Sequence, residues 1–536
     1  MTQKEVITGD TARQSIKAGI DLVANAVKKT LGPRGRNFVL DTDPYRNPLN
    51  TNDGVTIARE IHSRNEFEEI GVRIVKAVAN KTNDVAGDGT TTASILLQAI
   101  TTHGLQQVNN GADPVLLRRG IEKAADAVVK ALEDEIIETK DLEALINVAT
   151  ISCGDKHIGK IVAETVYKVG SDGVVTIEDA EEADTTSRVS EGIELRGGIQ
   201  LPTFITNSAR QEADINNVPI FVTDHDLTNG LEVIKIMEAC AAEGFKQAAV
   251  IANSVTGEAM ASCVINKAQG KFTLIPIKVM ALGEQGQGVL RDMAAATGGR
   301  FFCRDEGDKL PTTMNDNFNF DDFGHADRVI ATKDRTTILG GEGDKEERIA
   351  ELEAQLGNML KAYEKNMMKE RIAKLRSGVG VVRVGAVTES EREERKLRVE
   401  DAINAAKAAL SNGVIAGGGA SLYRAARKVQ KDKLVDLSTE DGNGIMAVVK
   451  ACFEPIKIMA ANSGLDLDKA ELIRVEQSQE LTIDFYTGEV VNAHEKGIID
   501  PSLVTISAIK NAASEAALFV ITEGAVTATD DDSEKV

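Results

Sequence analysis

The apolar periodicity of this chain changes twice along its length, and that change constrains the fold more than any motif it carries. From Thr11 to Leu31, the residues Ile16, Ile20, Val23, Val27 and Leu31 recur at three- and four-residue steps, one face of a helix, until "LGPRG" stops the run. "NFVLD" then reads as a short strand, "NDGVTIARE" as a turn entering a helix, and Ile70 to Asn83 as another helix. "AGDGTTTASILLQAI" is a glycine turn feeding a helix with Ile95, Leu96, Ala99 and Ile100 inward, and a long helical stretch closes near Lys140. Past Thr150 come short β-branched or aromatic runs, "DGVVTIED", "VPIFVT", "QAAVIAN", "FTLIPIKV" and "RFFC", separated by helical or glycine-rich segments, the pattern of an α/β unit. Between Asp344 and Ser377, Ile349, Leu352, Leu356, Met359 and Tyr363 step at heptad spacing too briefly for a coiled coil, which predicts a helical hairpin. Helical periodicity returns from Glu389 to Ser411 and continues through "NGVIAGGGASLYRAA" to a frayed acidic end, "TDDDSEKV". Helical ends around a mixed middle predict a multidomain α/β chain whose middle is inserted into the outer domain.

A chain of 536 residues exceeds what one core can fill, so several domains are expected. Aromatics make up only 4% and tryptophan is absent, which leaves Ala, Val, Ile and Gly to fill the interior. The net charge of −21 argues against nucleic acid, whose binders need clustered Lys and Arg. Cys153, Cys240, Cys263, Cys303 and Cys452 are scattered and never spaced as CxxC, so free thiols in a reducing cytosol are expected rather than disulfides or a zinc site. No apolar run approaches a membrane span, and the N-terminus resembles neither a signal peptide nor a presequence, so a cytoplasmic protein without a membrane partner is expected.

The chemistry concentrates in "AGDGTTTA", Ala86 to Ala93. A helix N-terminus attracts anions, and glycines ahead of it let phosphate oxygens reach the backbone. Asp88 could hold magnesium, and Thr90, Thr91 and Thr92 could donate hydroxyls. The same residues also suit a glycine turn before a Thr-capped helix, and spacing alone leaves both readings open. "GDKHIGK", Gly154 to Lys160, matches phosphate-loop spacing, but Ile161 stands where that loop needs Ser or Thr on the metal. Without a lysine, magnesium would have to neutralise the phosphates while other carboxylates position water. Asp53, Asp401 and Asp500 are candidates, and each alone also reads as a turn or cap residue.

Several motifs in one order add what spacing cannot. "TLGPRGRN" at Thr30 to Asn37, "NDGVTIAREI", "AGDGTTTA", "RVEDA" at Arg398 to Ala402, "AGGGA" at Ala416 to Ala420 and "GIIDPSLVT" together resemble a group I, GroEL-like chaperonin from about residue 5 to about residue 525. The resemblance implies the chaperonin fold: a mainly helical equatorial ATPase domain (1–135 and 412–536), a small α/β intermediate hinge domain (136–190 and 379–411) and an inserted α/β apical domain (191–378). It implies homo-oligomeric heptameric rings that capture non-native polypeptides, use ATP and Mg2+ with K+ as an accessory ion, and accept a co-chaperonin lid. By position, Thr30, Leu31, Gly32 and Pro33 would approach the nucleotide, and Asp88, Gly89, Thr90, Thr91 and Thr92 would take metal and phosphates. Asp401 would orient the water with Asp53 assisting, and Ile151, Ser152, Gly417, Gly418 and Asp500 would flank base and ribose. The polypeptide-binding positions would be Ile199, Phe204, Ile234, Met237, Met260, Val264 and Ile265, with Ile234/Met237 and Met260/Val264 forming apolar ridges one helical turn long. The implied setting is a cytoplasm, that of a bacterium or of a virus-infected host.

The chain departs from the family pattern in places. Asn52 stands where a lysine is usual, Asp484-Phe485-Tyr486-Thr487 replaces an "NAAT" segment, Gly197 takes the position of an apical arginine, and Gln200 and Thr203 replace apolar residues of the binding rim. Two rival readings follow: a passive ring-shaped holdase or scaffold with weak ATPase activity, and a metabolic ATP-dependent enzyme, for which no His/Cys pairing offers support.

Overall fold

The computed structural model describes residues 4–41, 48–171, 173–180, 182–207, 210–280, 283–311, 313, 318–358, 362–376, 378–431 and 441–528. The expected residue Met359 and the acidic "TDDDSEKV" lie outside the described residues. The chain forms two compact units, one of residues 1–167, 177–187 and 382–536, the other of residues 168–176 and 188–381. The expected apical segment, 191–378, falls wholly in the second.

The first unit is helical because its apolar residues repeat at helical spacing on nearly every segment. Its opening helices are α1 (Gly9–Val27), α2 (Gly54–Glu60), α3 (Glu66–Ala86), α4 (Thr90–Asn109), α5 (Pro114–Glu133) and α6 (Leu142–Cys153). Ile16, Ile20, Val23 and Val27 of α1 are buried as their spacing requires, and so are Ile95, Leu96, Ala99 and Ile100 of α4. The expected helix to Lys140 stops earlier, at Glu133. Ile137 exchanges both backbone hydrogen bonds with Val414 at 2.9 Å, which pulls that stretch into strand geometry. The helix Ser502–Val520 is apolar and long enough to cross a membrane, contrary to the sequence expectation, but it packs on α3, α4 and α5 with residues such as Ala508, Ile509 and Ala512 fully buried. It is a core helix. Lys4–Thr8 pairs antiparallel with Gly524–Ala528, a contact between remote segments that local pattern does not reveal.

The second unit is built on a sheet whose strands run, in order, Thr273–Val279, Gln247–Ala252, Ala213–Thr223, Gly324–Ala331, Arg335–Gly341 and Thr186–Ile199. The first three are parallel and the rest antiparallel. Gly197 to Ile199 returns to pair with Ile277 to Val279, closing the sheet on itself. The expected hairpin is present as Lys345–Asn358 and Ala362–Arg376. Asp292, 3% exposed, fastens it to the helix Gly283–Thr297 by accepting from Arg348 Nε at 2.8 Å and Arg371 Nε at 2.7 Å. All five cysteines are buried and free, as expected.

α1 and α3 touch through glycine backbone. A Cβ on Gly19 would fall 1.8 Å from the Glu68 carbonyl oxygen, and one on Gly71 would fall 1.9 Å from that of Ile16. Gly71→Ala is therefore expected to push the helices apart and cost about 1–3 kcal/mol of stability. A urea midpoint unchanged from that of the parent would contradict this close approach.

Candidate active site

The "AGDGTTTA" stretch joins α3 to α4 by a turn that glycine alone builds without strain. Gly87 has φ 67° and Gly89 φ 82°, both left-handed. The turn is also confined, since a Cβ on Gly87 would lie 2.3 Å from Asn404 Cβ and one on Gly89 2.5 Å from Val504 Cγ1. Gly89 is the N-cap of α4, and no side chain caps the helix. Thr90, Thr91 and Thr92 form the first turn instead of capping it. The first amides of a helix have no partner within it, so this start is open to an anion.

Other segments converge on this start. Gly54, at the beginning of α2, approaches so closely that a Cβ there would sit 2.3 Å from Thr91 Oγ1. Asp53 caps α2, accepting from the amides of Val55 and Thr56 at 3.1 and 3.0 Å. Thr30 Oγ1 lies 3.5 Å from Thr91 Oγ1. Ser152, at the end of α6, donates its hydroxyl to Asp88 Oδ2 at 3.2 Å. The helix Glu389–Asn412 packs on α6 and contributes Arg398 and Asp401, one turn apart. Strand pairing of Val414–Ala416 with Ile499–Pro501 sets Asp500 beside Ile415.

Together they enclose a cavity of about 520 Å³. Thr30, Leu31, Gly32, Pro33, Asp53, Asp88, Gly89, Thr90, Thr91, Thr92, Ile151, Ser152, Asp401, Gly418 and Asp500 all line it. Gly417 does not. It lies behind the wall, where its carbonyl accepts from the Thr482 hydroxyl at 2.8 Å. Lys160 of the rival phosphate-loop match does not line it either; it lies on the helix Lys156–Val169, 3.8 Å from Glu164.

Among the described residues the cavity wall carries five carboxylates, Asp53, Asp88, Asp401, Asp484 and Asp500, against one cationic side chain, Arg398. Burial pushes the Asp88 carboxyl up, and the nearby Asp53 adds to the rise while the Gly89 amide and Ser152 hydroxyl oppose it. Burial, then the charges of Asp88 and Asp53, hold Asp401 well above the usual carboxylate range. Burial, then Asp88, pushes Asp500 up to about 7. Among the described residues no three His, Cys, Asp or Glu side chains form a complete metal site. A wall of oxygen donors with Asp88 beside an open helix start instead fits a hard divalent ion held only in part by protein oxygens.

A family model for the TCP-1/cpn60 chaperonin family matches residues 23–529. The chain belongs to the chaperonin family. It is similar in structure to the chaperonin gp146 from the bacteriophage EL 2 (Pseudomonas aeruginosa), crystallised in presence of ATP-BeFx in two crystal forms. At 21% identity, covering 98% of this chain and 99% of that one, the TM-scores are 0.72 for form II and 0.67 for form I. That likeness carries the fold, and the GroEL-like resemblance read from the motifs agrees with it. Chaperonins are ATPases that form rings and bind non-native polypeptides.

The chaperonin's expected polypeptide-binding residues do not share one surface. Ile199, Phe204 and Met237 are core residues, 6%, 0% and 5% exposed. Ile199 pairs with Ile277 where the sheet closes, and Met237 shares the inward face of the helix Gly230–Ala242 with Val233, Ile236 and Cys240. The expected Ile234/Met237 ridge is therefore not a surface ridge, because only Ile234 is part-exposed. Met260, Val264 and Ile265 line an open groove of about 600 Å³ with Leu201 and Gln200, and Ile265 is 53% exposed. Gln200 has a structural task there, accepting from the Val255 amide at 3.1 Å.

Sequence reasoning missed several wall residues of the cavity. Met459 sits in an ordinary amphipathic helix, Glu454–Ser463, and Arg398 in a charged one. Phe485 and Tyr486 belong to a hairpin turn, entered from Ile483, whose only signal was its departure from the family pattern.

The raised Asp500 carboxyl has a consequence for stability. In the unfolded chain it ionises near 3.8, but in the folded chain near 7, so the folded state loses stability relative to the unfolded one as pH rises through that window. Nucleotide-free Asp500→Asn is expected to match the parent near pH 4 and to exceed it at pH 8 by on the order of 2 kcal/mol, discounted for partial solvent contact. A variant whose melting advantage shrinks as pH rises would contradict this origin.

Proposed function

We propose that this chaperonin is an ATP-driven protein-folding ring in which the α4 start binds the phosphates and Asp401 directs hydrolysis. The observation that carries this reading is an uncapped helix start lining one cavity with Asp88 and Asp401, with no lysine on its wall among the described residues, in a chain of this family. The Thr90, Thr91 and Thr92 segment offers amides and hydroxyls to the phosphate oxygens, and the Thr30 to Pro33 turn closes the adjoining wall. Magnesium held at Asp88 and on the phosphates would offset their negative charge. Asp401, ionised, would orient a water molecule for attack on the γ-phosphorus; the bond to the β–γ bridging oxygen breaks, giving ADP and inorganic phosphate. Asp53 keeps α2 in place and adds a carboxylate beside that water.

Asp401 rides on the helix Glu389–Asn412, within the segment read as the intermediate hinge (136–190 and 379–411), between an equatorial part (1–135 and 412–536) and an apical part (191–378). A catalytic carboxylate on a hinge would couple hydrolysis to closure. The groove at Met260, Val264 and Ile265 supports capture of non-native polypeptide, since each buried side chain contributes about 1.5–3 kcal/mol without directional demands and a ring multiplies weak contacts. A heptameric ring, Mg2+ with accessory K+, a co-chaperonin lid and a cytoplasmic setting complete the proposal.

The passive holdase with weak ATPase activity draws its support from Asn52, which lines the cavity where the family usually places a lysine. Steady-state phosphate release separates the two. Release is expected, and Asp401→Ala is expected to lower it by about 10²-fold or more while the ring size seen by light scattering is unchanged. Release at background in the parent, or undiminished in the variant, would favour the passive ring.

A further inference from the structure

Two turns of the cavity wall come from distant parts of the chain and rest on the same helix, Glu454–Ser463, which carries Asn462 near its end. In the first turn, Asn462 Nδ2 donates to the carbonyls of Lys28 and Leu31, both at 2.9 Å. Met459 packs under Gly32, where a Cβ would meet its Cγ at 2.8 Å. The second turn closes the hairpin of strands Leu481–Ile483 and Val490–Asn492. Asp484 shapes it, accepting from the Tyr486 amide on its side chain at 2.8 Å and from the Gly488 amide on its carbonyl at 2.7 Å. Phe485, 3% exposed, anchors this turn in a cluster with Ile456 and Met459.

With Phe485 turned inward, Tyr486 turns outward: it lines the cavity and is 62% exposed. Its hydroxyl donates to the Pro33 carbonyl at 3.2 Å. Arg34 answers from the other side, donating to the Tyr486 carbonyl at 3.2 Å and placing its guanidinium 6.0 Å from the ring centre. The phenol thus spans the two turns. This part of the wall, with Met459, Ile483, Phe485 and Gly418, is apolar, which suits a base; the anion-attracting α4 start takes the other end.

We propose that Tyr486, fastened to Pro33 and backed by Arg34, is a retaining bar at the base end of the cavity, and that opening of the Tyr486–Pro33 bond limits the release of bound purine nucleotide. The inference rests on the nucleotide reading of the cavity and adds to it a positioning residue that controls product release. Both turns are anchored independently on one helix, so breaking the bar removes the bridge and leaves each turn in place.

The test uses the full chain and ADP carrying a fluorescent ribose label, released by an excess of unlabelled ADP in a stopped-flow instrument. Tyr486→Phe keeps the ring and removes the donor, and release is expected to quicken about two- to tenfold. Tyr486→Ala removes both and is expected to quicken it further, with the melting temperature close to that of the parent because the side chain is exposed. Both variants releasing ADP at the parent's rate would overturn the bar, as would a lowered melting temperature without faster release, which would assign Tyr486 to stability alone. No binding by the parent would overturn the nucleotide reading and the bar together; binding with unchanged release overturns the bar only.

Discussion

The first-turn amides of α4 have no partner within the helix and no side chain to cap them, and most of the surrounding architecture serves to keep that helix start open. Gly87 and Gly89 deliver the chain to it in left-handed geometry, so close to Asn404 and Val504 that a Cβ on either would clash. Gly54 allows α2 to come within contact of Thr91. In a lysine-containing phosphate loop an ammonium group supplies the attraction for anions; an open helix start offers aligned peptide dipoles and hydroxyls without a formal charge.

Carboxylates are then placed where they repel one another. Burial raises the proton affinity of Asp88, Asp401 and Asp500, and charge adds to it, from Asp53 on Asp88 and from Asp88 on the other two, a high-energy arrangement when no cation is bound. Such an arrangement costs folding stability and favours whatever brings positive charge to it. It also ties the protonation of Asp401 to the charge of Asp88.

Much of this was legible in the sequence where the signal is local. The periodicity of Ile16, Ile20, Val23 and Val27 predicted α1, and the glycine turn at "AGDGTTTA" predicted the α4 start, though not that Gly89 rather than a threonine would stand at the cap. The gathering of Asp53, Asp401 and Asp500 around Asp88 depends on long-range pairing, such as Ile415 with Asp500, which local patterns do not encode; only the resemblance brought them together beforehand. The same limit explains the misplaced residues. Ile199 and Met237 were expected at a polypeptide-binding surface by resemblance, Met237 in a ridge with Ile234, but closure of the sheet at Ile277 and packing of the Gly230–Ala242 helix bury them. Tyr486 was conspicuous only as a departure, because the Pro33 carbonyl that gives it a task lies 453 residues away in the chain.

The central claim is that an uncapped helix start and one acidic side chain do the work of a phosphate-binding lysine. Calorimetric titration of Mg·ATP into the purified chain, repeated with Asp88→Ala, tests it most directly. The account expects saturable binding by the parent that is lost or much weakened in the variant. No saturable heat from the parent, or equal binding by both, would contradict it.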